Sequence, residues 1–434
     1  LGRVLGVVMA VWGLCLTGCQ TTAPMPEFGG LPQETSFYLD RPEVNLAADE
    51  VFQKEQYARF LGLMRSPWAE GATGPSLEET QANFRELRDK GGYGENLRPR
   101  SAAWFEQMWL LADLDGYPNQ KFQAVTVAET DLRSLPTARP IFDAAQGSGG
   151  YPFDRLQLTR LSPGTPLLAL HLSRDGAWAL VYSHLTWGWV PRRDIARLRP
   201  EQLRHWRSDR FAAVVKDGAQ LRDDEGHLLF LANVGAVLPL VSQDFNEFQV
   251  MAPVAGDGGW AVIKQVSLRA DAAVAMPMPL SAANVALVAN QFMNQPYGWG
   301  GYLGDRDCSA LVRDLYVPFG LWLPRNSADQ ARQAGQLIGL AGAGKGEVLS
   351  GQGLPFLSLV YLPGHIMIYA GQWAGQHAVL HSVWNLSSSQ GQGQGPGQEG
   401  PVGRVVISPL AEGGRLWQRS EGLVILVPPE RLAK

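Results

Sequence analysis

Cysteine is scarce in this chain: three occur in 434 residues. Two of them, Cys15 and Cys19, fall within the first twenty positions, which excludes a disulfide-stapled scaffold. Charge of one sign is lacking too. Lysine and arginine total 37 against 41 aspartates and glutamates, a formal charge of −4, so no basic surplus points to nucleic acid as a partner. The seven histidines are too few and too scattered for a zinc site, and no metal or other cofactor is expected. Past residue 18 no apolar run has transmembrane length. Charged residues are only 18% of the chain, while 49 glycines, 29 prolines and 14 tryptophans fit loop-rich β domains better than disorder. The length fits two to four domains.

The first residues read as a targeting segment. Arg3 is a short basic start, and Val4 to Leu16 is apolar but too short to span a bilayer comfortably. It ends in Leu16-Thr17-Gly18-Cys19, which resembles a bacterial lipobox. The resemblance implies a signal peptide at 1–18, cleavage before Cys19, and a lipid on its thiol that ties a tether, 19–34, to a membrane. Gln20 rather than Asp follows the cysteine, which by resemblance to Gram-negative sorting implies an outer-membrane anchor facing the periplasm. The chain opens on Leu rather than Met, so a non-standard start or an upstream truncation is expected. Cys308 is then the one thiol left in the mature protein, with no partner for a bridge.

A free cysteine is commonly a small buried apolar residue. The setting of Cys308 argues for more. Pro296-Tyr297-Gly298-Trp299-Gly300-Gly301 leads to Asp307-Cys308-Ser309, where a helix is predicted to start. Unpaired N–H groups and the helix dipole favour a thiolate at that position. Attack on a carbonyl needs an imidazole that takes the thiol proton and returns it to the leaving amine. His365 lies on the alternating stretch His365-Ile366-Met367-Ile368-Tyr369 and fits that role. A third group should orient the imidazole. His377 and His381 share strand parity, so periodicity leaves both open. The oxyanion would meet the Cys308 backbone N–H, with Tyr297 near enough in sequence to supply a second donor or to bind substrate.

The pattern along the chain divides it. Residues 35–120 read as helical: Ala47–Met64, Leu77–Lys90 closed by Gly91-Gly92, and Ser101–Leu114 capped by Ser101. Residues 121–200 and 201–270 read as two series of short strands, resembling bacterial SH3-like barrels. In the first, 131–137 reads as an irregular loop, and Trp187 with Trp189 as a possible ligand-facing aromatic ledge. Residues 271–279 read as a proline-containing linker. In 280–434, helices at 282–293, 308–316 and 327–334 precede strands at 357–361, 365–369, 378–384, 403–407 and 423–427. Gly391–Gly400 reads as a surface loop. The fold class expected is α+β and multidomain: a small helical domain, two SH3-like β-barrels and a C-terminal papain-like domain.

Residues 280–385 resemble the NlpC family of bacterial cell-wall peptidases. The matching pieces are QPYGWGG at 295–301, DCSALVRDLY at 307–316, LPRNSADQ at 323–330, GHIMIYAG at 364–371 and VLHS at 379–382. The resemblance implies a cysteine endopeptidase acting on peptidoglycan stem peptides at the bond between γ-D-glutamate and a diamino acid. It implies Cys308 as nucleophile, His365 as base and acid, and His381 as the orienting residue. Tyr297, Asp307 and Ser309 match positions that line the substrate cleft, with Asp307 suited to a cationic amine and Ser309 to a substrate carboxylate. A barrel beside the cleft implies preference for a free N-terminal L-alanine. The family's usual Gly-Asp-Leu before the histidine strand is absent, replaced by Pro355-Phe356-Leu357-Ser358-Leu359. The competing readings are a non-catalytic wall-binding lipoprotein and a thiol amidase or acyltransferase on the same fold.

Overall fold

The computed structural model describes residues 28, 30–39, 46–385 and 402–433. The signal segment, the Cys19 anchor and the Gly391–Gly400 loop lie outside the described residues.

Three helices open the described chain, each fixed by its cap. In α1 (Glu50–Met64) Asp49 accepts from the Phe52 N–H. In α2 (Leu77–Lys90) Ser76 and Glu79 form a reciprocal capping box. In α3 (Ala102–Ala112) Ser101 accepts from the Trp104 N–H. These helices share no core of their own. Phe60, Leu61 and Met64 of α1 pack against both barrels and Val317, whereas Phe84, Leu87 and Phe105 of α2 and α3 pack on Leu135, Ile141 and Leu156.

The first barrel is an antiparallel sheet of β1 (Phe122–Thr126), β2 (Thr130–Arg133), β3 (Gln157–Leu161), β4 (Pro166–Leu172), β5 (Trp178–Tyr182), β6 (Trp187–Pro191) and β7 (Ile195–Arg197). Residues 130–133 are thus a strand rather than part of a loop. The aromatic ledge is also overturned for Trp189: it is 2% exposed and packed with Ala112 and Leu114 beneath the α3 end. Trp187 leans on the same cluster.

The second barrel holds β8 (Phe211–Val214), β9 (Ala219–Arg222), β10 (Leu228–Ala232), β11 (Val237–Gln243), β12 (Glu247–Ala255), β13 (Ala261–Arg269) and β14 (Ala273–Ala275). β14 pairs with β8, so the segment expected as a linker contributes a strand to this sheet.

The C-terminal domain places α4 (Ala282–Ala289), α5 (Cys308–Tyr316) and α6 (Ser327–Gln333) against a six-stranded antiparallel sheet. Its strands are β15 (Gln336–Gly339), β16 (Ser358–Leu362), β17 (His365–Trp373), β18 (Gln376–Val383), β19 (Arg404–Pro409) and β20 (Gly422–Ile425), in the order 15-20-16-17-18-19. Leu311, Val312 and Leu315 of α5 meet Ile366, Ile368 and Leu380 in one apolar core. The edge strand β19 is covered from a distant part of the chain. The Gln33 amide donates to Ile407 O at 2.8 Å and accepts from Ile407 N at 2.9 Å, imitating a neighbouring strand. Leu31, Pro32 and Gln33 are buried, so the last residues of the expected tether are part of the folded body.

Both barrels grip the loop that precedes α5. Gly300 and Gly301 have φ of +65° and +88°, and Cβ atoms there would fall 2.7 Å from Gln157 O and 2.6 Å from Arg160 Cβ. Only glycine fits both the conformation and the approach to β3. Gly301→Ala is expected to cost about 1–3 kcal/mol through strain and overpacking, read as a lower urea midpoint at unchanged slope. From the other side, Arg306 donates to Asp217 at 2.7 and 2.9 Å and to Val234 O at 3.0 Å in the second barrel, and to Asp314 at 2.8 Å in α5.

Candidate active site

Cys308 is the first residue of α5, as the sequence predicts, and Asp307 is the N-cap whose Oδ1 accepts from Ala310 N at 2.8 Å. The backbone N–H groups of Ile366 and Ser309 lie near enough to the thiol to act on it electrostatically. The thiol therefore lies against the start of β17, beside His365. Cys308 is 9% exposed, at the margin of the apolar core, and His365 is half-buried.

Strand register explains how the histidines meet. Ile368 pairs with Leu380, which makes His365 and His381 diagonal neighbours across β17 and β18. Val379 pairs with Ser408, which makes His381 and Ser408 diagonal across β18 and β19. Side chains follow the register: His365 Nε2 lies 2.7 Å from His381 Nδ1, and His381 Nε2 lies 2.9 Å from Ser408 Oγ. His377 is four residues away, with Nδ1 2.9 Å from the Tyr369 hydroxyl. The geometry thus selects His381 over His377. With Nε2 of His365 engaged, Nδ1 is the ring nitrogen left for the thiol.

Electrostatics differ from the expectation of a resting thiolate. Burial, reinforced by the charge of Asp307, pushes the Cys308 thiol up to about 12. Burial pushes His365 down to about 4, against the opposing pull of Asp307, and holds His381 well below the ordinary imidazole value, with His365 adding to the effect. The low-dielectric surroundings outweigh the helix start, and the resting pair is thiol and neutral imidazole.

Asp307 and Ser309 also differ from their expected part. Arg325 donates to Asp307 Oδ2 at 2.6 Å, to Oδ1 at 3.2 Å and to Ser309 Oγ at 2.8 Å. Asp307 further accepts from Gly300 N at 2.9 Å and from Ser309 Oγ at 3.2 Å. Five donors saturate this carboxylate, leaving no oxygen for a substrate amine. Asp307, Ser309 and Arg325 are all buried and fix the helix start to the glycine loop. Tyr297 is half-buried on the loop before α5. Its ring centroid lies 5.9 Å from Trp384 and 6.5 Å from Phe153 of the first barrel. Burial, with the nearby Asp307 and Cys308 charges, raises its hydroxyl pKa, so the hydroxyl keeps its proton. Tyr151, from the same barrel, is 60% exposed and edges onto Trp384. Among the described residues no group of three or more His, Cys, Asp or Glu is placed to hold a metal ion.

A thiol at a helix start, on a helix packed against the antiparallel sheet that carries the imidazole, is the layout of the papain-like class. Residues 294–395 match the model of the NlpC/P60 family, and 7–117 that of the NLPC_P60 N-terminal stabilising domain. Residues 140–191 match an SH3 domain of the SH3b1 type and 200–244 one of the SH3b2 type. Family models thus give an NlpC/P60 domain in the C-terminal part of the chain, behind a helical N-terminal region and two SH3-like domains. It resembles the structure of an NlpC/P60 endopeptidase from Photobacterium damselae subsp. piscicida, with TM-score 0.79 and 22% identity, over 93% of this chain and 99% of that one. It also resembles an NlpC/P60 family protein from Bacillus cereus, with TM-score 0.50 and 18% identity, over 70% and 100%. A gamma-D-glutamyl-L-lysine dipeptidyl-peptidase of Bacillus cereus is 27% identical over 175 residues, 37% of this chain. The chain spans about half the length of that curated relative, 51%.

Proposed function

We propose that this protein is a cysteine peptidase that hydrolyses peptidoglycan stem peptides between γ-D-glutamate and the following diamino acid. The observation that carries the reading is the contact of His365 with His381 on the two strands against which the helix opened by Cys308 packs. The chemistry follows from a neutral resting pair. As sulfur attacks the γ-carbonyl carbon, its proton moves to Nδ1 of His365. The oxyanion takes hydrogen bonds from the Cys308 N–H and the Tyr297 hydroxyl. His365 then protonates the departing amine, which leaves a thioester. Water, deprotonated by the same imidazole, hydrolyses the thioester to a carboxylic acid and restores the thiol.

The bond class is supported by the activity in the name of the Bacillus cereus relative. Preference for short peptides with a free N-terminal L-alanine is supported by Tyr151 and Phe153 of the first barrel, which meet Tyr297 and Trp384. A barrel already packed there favours turnover fragments over intact wall. Cys19 is proposed as a lipid anchor that holds the protein at the outer membrane, facing the periplasm; Cys19→Ala should move it from the membrane to the soluble fraction.

The test is mass spectrometry of L-Ala-γ-D-Glu-diaminopimelate after incubation with the protein, beside N-acetylated peptide and purified sacculi. Free diaminopimelate from the first substrate, in excess over the other two, is expected. Release from none of them, or cleavage only of an L-alanine amide, would defeat the assignment. The pH dependence is expected to carry the signature of the neutral pair. His365 must be unprotonated to act, so kcat/KM should fall only as pH drops towards about 4. With the thiol near 12, alkylation by iodoacetamide should keep rising, about tenfold per pH unit, from pH 6 to 9. A plateau already at pH 6 would show a stable thiolate instead.

A further inference from the structure

Ser408 has no part in the mechanism above, yet it ends the line of groups that begins at His365. It is 1% exposed on β19, and its hydroxyl lies 2.9 Å from Nε2 of the fully buried His381. Three polar groups therefore stand in single file: His365, His381 and Ser408, with contacts of 2.7 and 2.9 Å.

Counting protons along that file gives two arrangements. Each neutral imidazole carries one N–H, and the short contact between His365 Nε2 and His381 Nδ1 needs one proton between them. In the first arrangement His365 donates from Nε2 to His381 Nδ1, and His381 donates from Nε2 to Ser408 Oγ. Nδ1 of His365 is then a lone pair and can take the thiol proton. In the second, the Ser408 hydroxyl donates to His381 Nε2, His381 Nδ1–H donates to His365 Nε2, and His365 carries its proton on Nδ1. That imidazole faces the sulfur with an N–H and is no base. A hydroxyl both donates and accepts, so the choice between the two is made at Ser408.

We propose that Ser408 is a positioning residue that sets the proton register of both histidines, accepting the His381 Nε2–H and so leaving Nδ1 of His365 free for the thiol. The inference rests on the reading of Cys308 and His365 as the reacting pair. It adds that the file ends in a neutral group. A carboxylate there would only accept, and would draw positive charge onto His381; a hydroxyl leaves both rings neutral at rest.

The experiment compares wild type, Ser408→Ala and Ser408→Thr by kinetics, and by 15N shifts of the histidine ring nitrogens with Cys308→Ala added to each. Loss of the hydrogen-bond partner that orients a metal-ligating histidine typically costs about 10–100-fold, and the same order is taken for an orienting partner here. Ser408→Ala is therefore expected to lower kcat by about that factor with KM within twofold, and Ser408→Thr to recover most of it. In the Cys308→Ala background Nδ1 of both His365 and His381 should be unprotonated, and Ser408→Ala should add a population with Nδ1 protonated. Thermal melting confirms that each variant is folded. If Ser408→Ala misfolds, wild type and Ser408→Thr decide alone: Nδ1–H on either ring in the serine protein overturns the proposal. Wild-type kcat with unchanged shifts in Ser408→Ala overturns it equally. Turnover by Cys308→Ala would instead defeat the hydrolase reading, while the nitrogen shifts would still report on the register.

Discussion

Cys308→Ala is expected to reduce diaminopimelate release below detection. Removing a covalent nucleophile costs roughly 10⁶-fold where it has been measured. Ser309, the neighbouring hydroxyl, is not free to take over the acyl intermediate, because it is buried and bound to Arg325. His365→Ala should cost somewhat less, about 10²–10⁴-fold, since only proton transfer is lost. Its residual rate should climb with pH as hydroxide replaces the imidazole in generating thiolate, whereas the native rate is flat well above pH 4. The two losses should not add: the double variant should be no slower than Cys308→Ala. Single-turnover assays on the tripeptide, with melting curves to verify folding, check each outcome. A rate for Cys308→Ala within tenfold of native would remove the covalent mechanism.

The largest expected effect on stability is at Arg325. This guanidinium is buried against Asp307, with contacts of 2.6 and 3.2 Å, under the first turn of α5. Burial works against ionisation of Asp307, but Arg325 and the N–H groups of Ala310 and Gly300 outweigh it and hold the carboxyl below its ordinary value. Arg325→Leu strands that charge, and breaking one side of a buried pair costs about 3–5 kcal/mol. The sign with pH follows. A depressed carboxyl contributes stability that is present above its unfolded value and lost as pH falls through its folded value. In Arg325→Leu the carboxyl titrates higher, so the gap between variant and native narrows as the medium becomes acid. Urea unfolding at pH 7 and pH 4 measures both. A companion Asp307→Asn/Arg325→Leu protein should recover part of the loss, because no uncompensated charge remains.

Much of this was readable in the linear chain where information is local. α5 begins and ends at the predicted residues because Asp307 can cap and the apolar positions Leu311, Val312 and Leu315 repeat at helical spacing. Ser76, Ser101 and Ser281 mark helix starts by the same logic. Elements that depend on distant partners were not readable. β15 and the helix α7 (Lys345–Gln352) fall in a glycine-rich stretch without apolar period, and β15 exists through its pairing with β20, some ninety residues on. The ledge at Trp189 failed because what covers it, the end of α3, lies about eighty residues upstream. At the site, parity could not separate His377 from His381; the pairing of β17 with β18 does. Arg325 stood inside a quoted motif without a role, since its partner is 18 residues back. Ser408 gave one faint signal, a lone hydroxyl closing the apolar run Val405-Val406-Ile407.

The clasp of Gln33 on Ile407 sets a working radius. If Cys19 carries lipid, only twelve peptide units separate that anchor from Leu31, which is already packed in the body of the enzyme. At about 3.5 Å per residue the leash extends no more than roughly 40 Å, less than one diameter of a protein this size. Such an enzyme would graze on what drifts to its own membrane surface rather than reach across to the wall. Lengthening the segment before Leu31 would be the way to give it farther pasture.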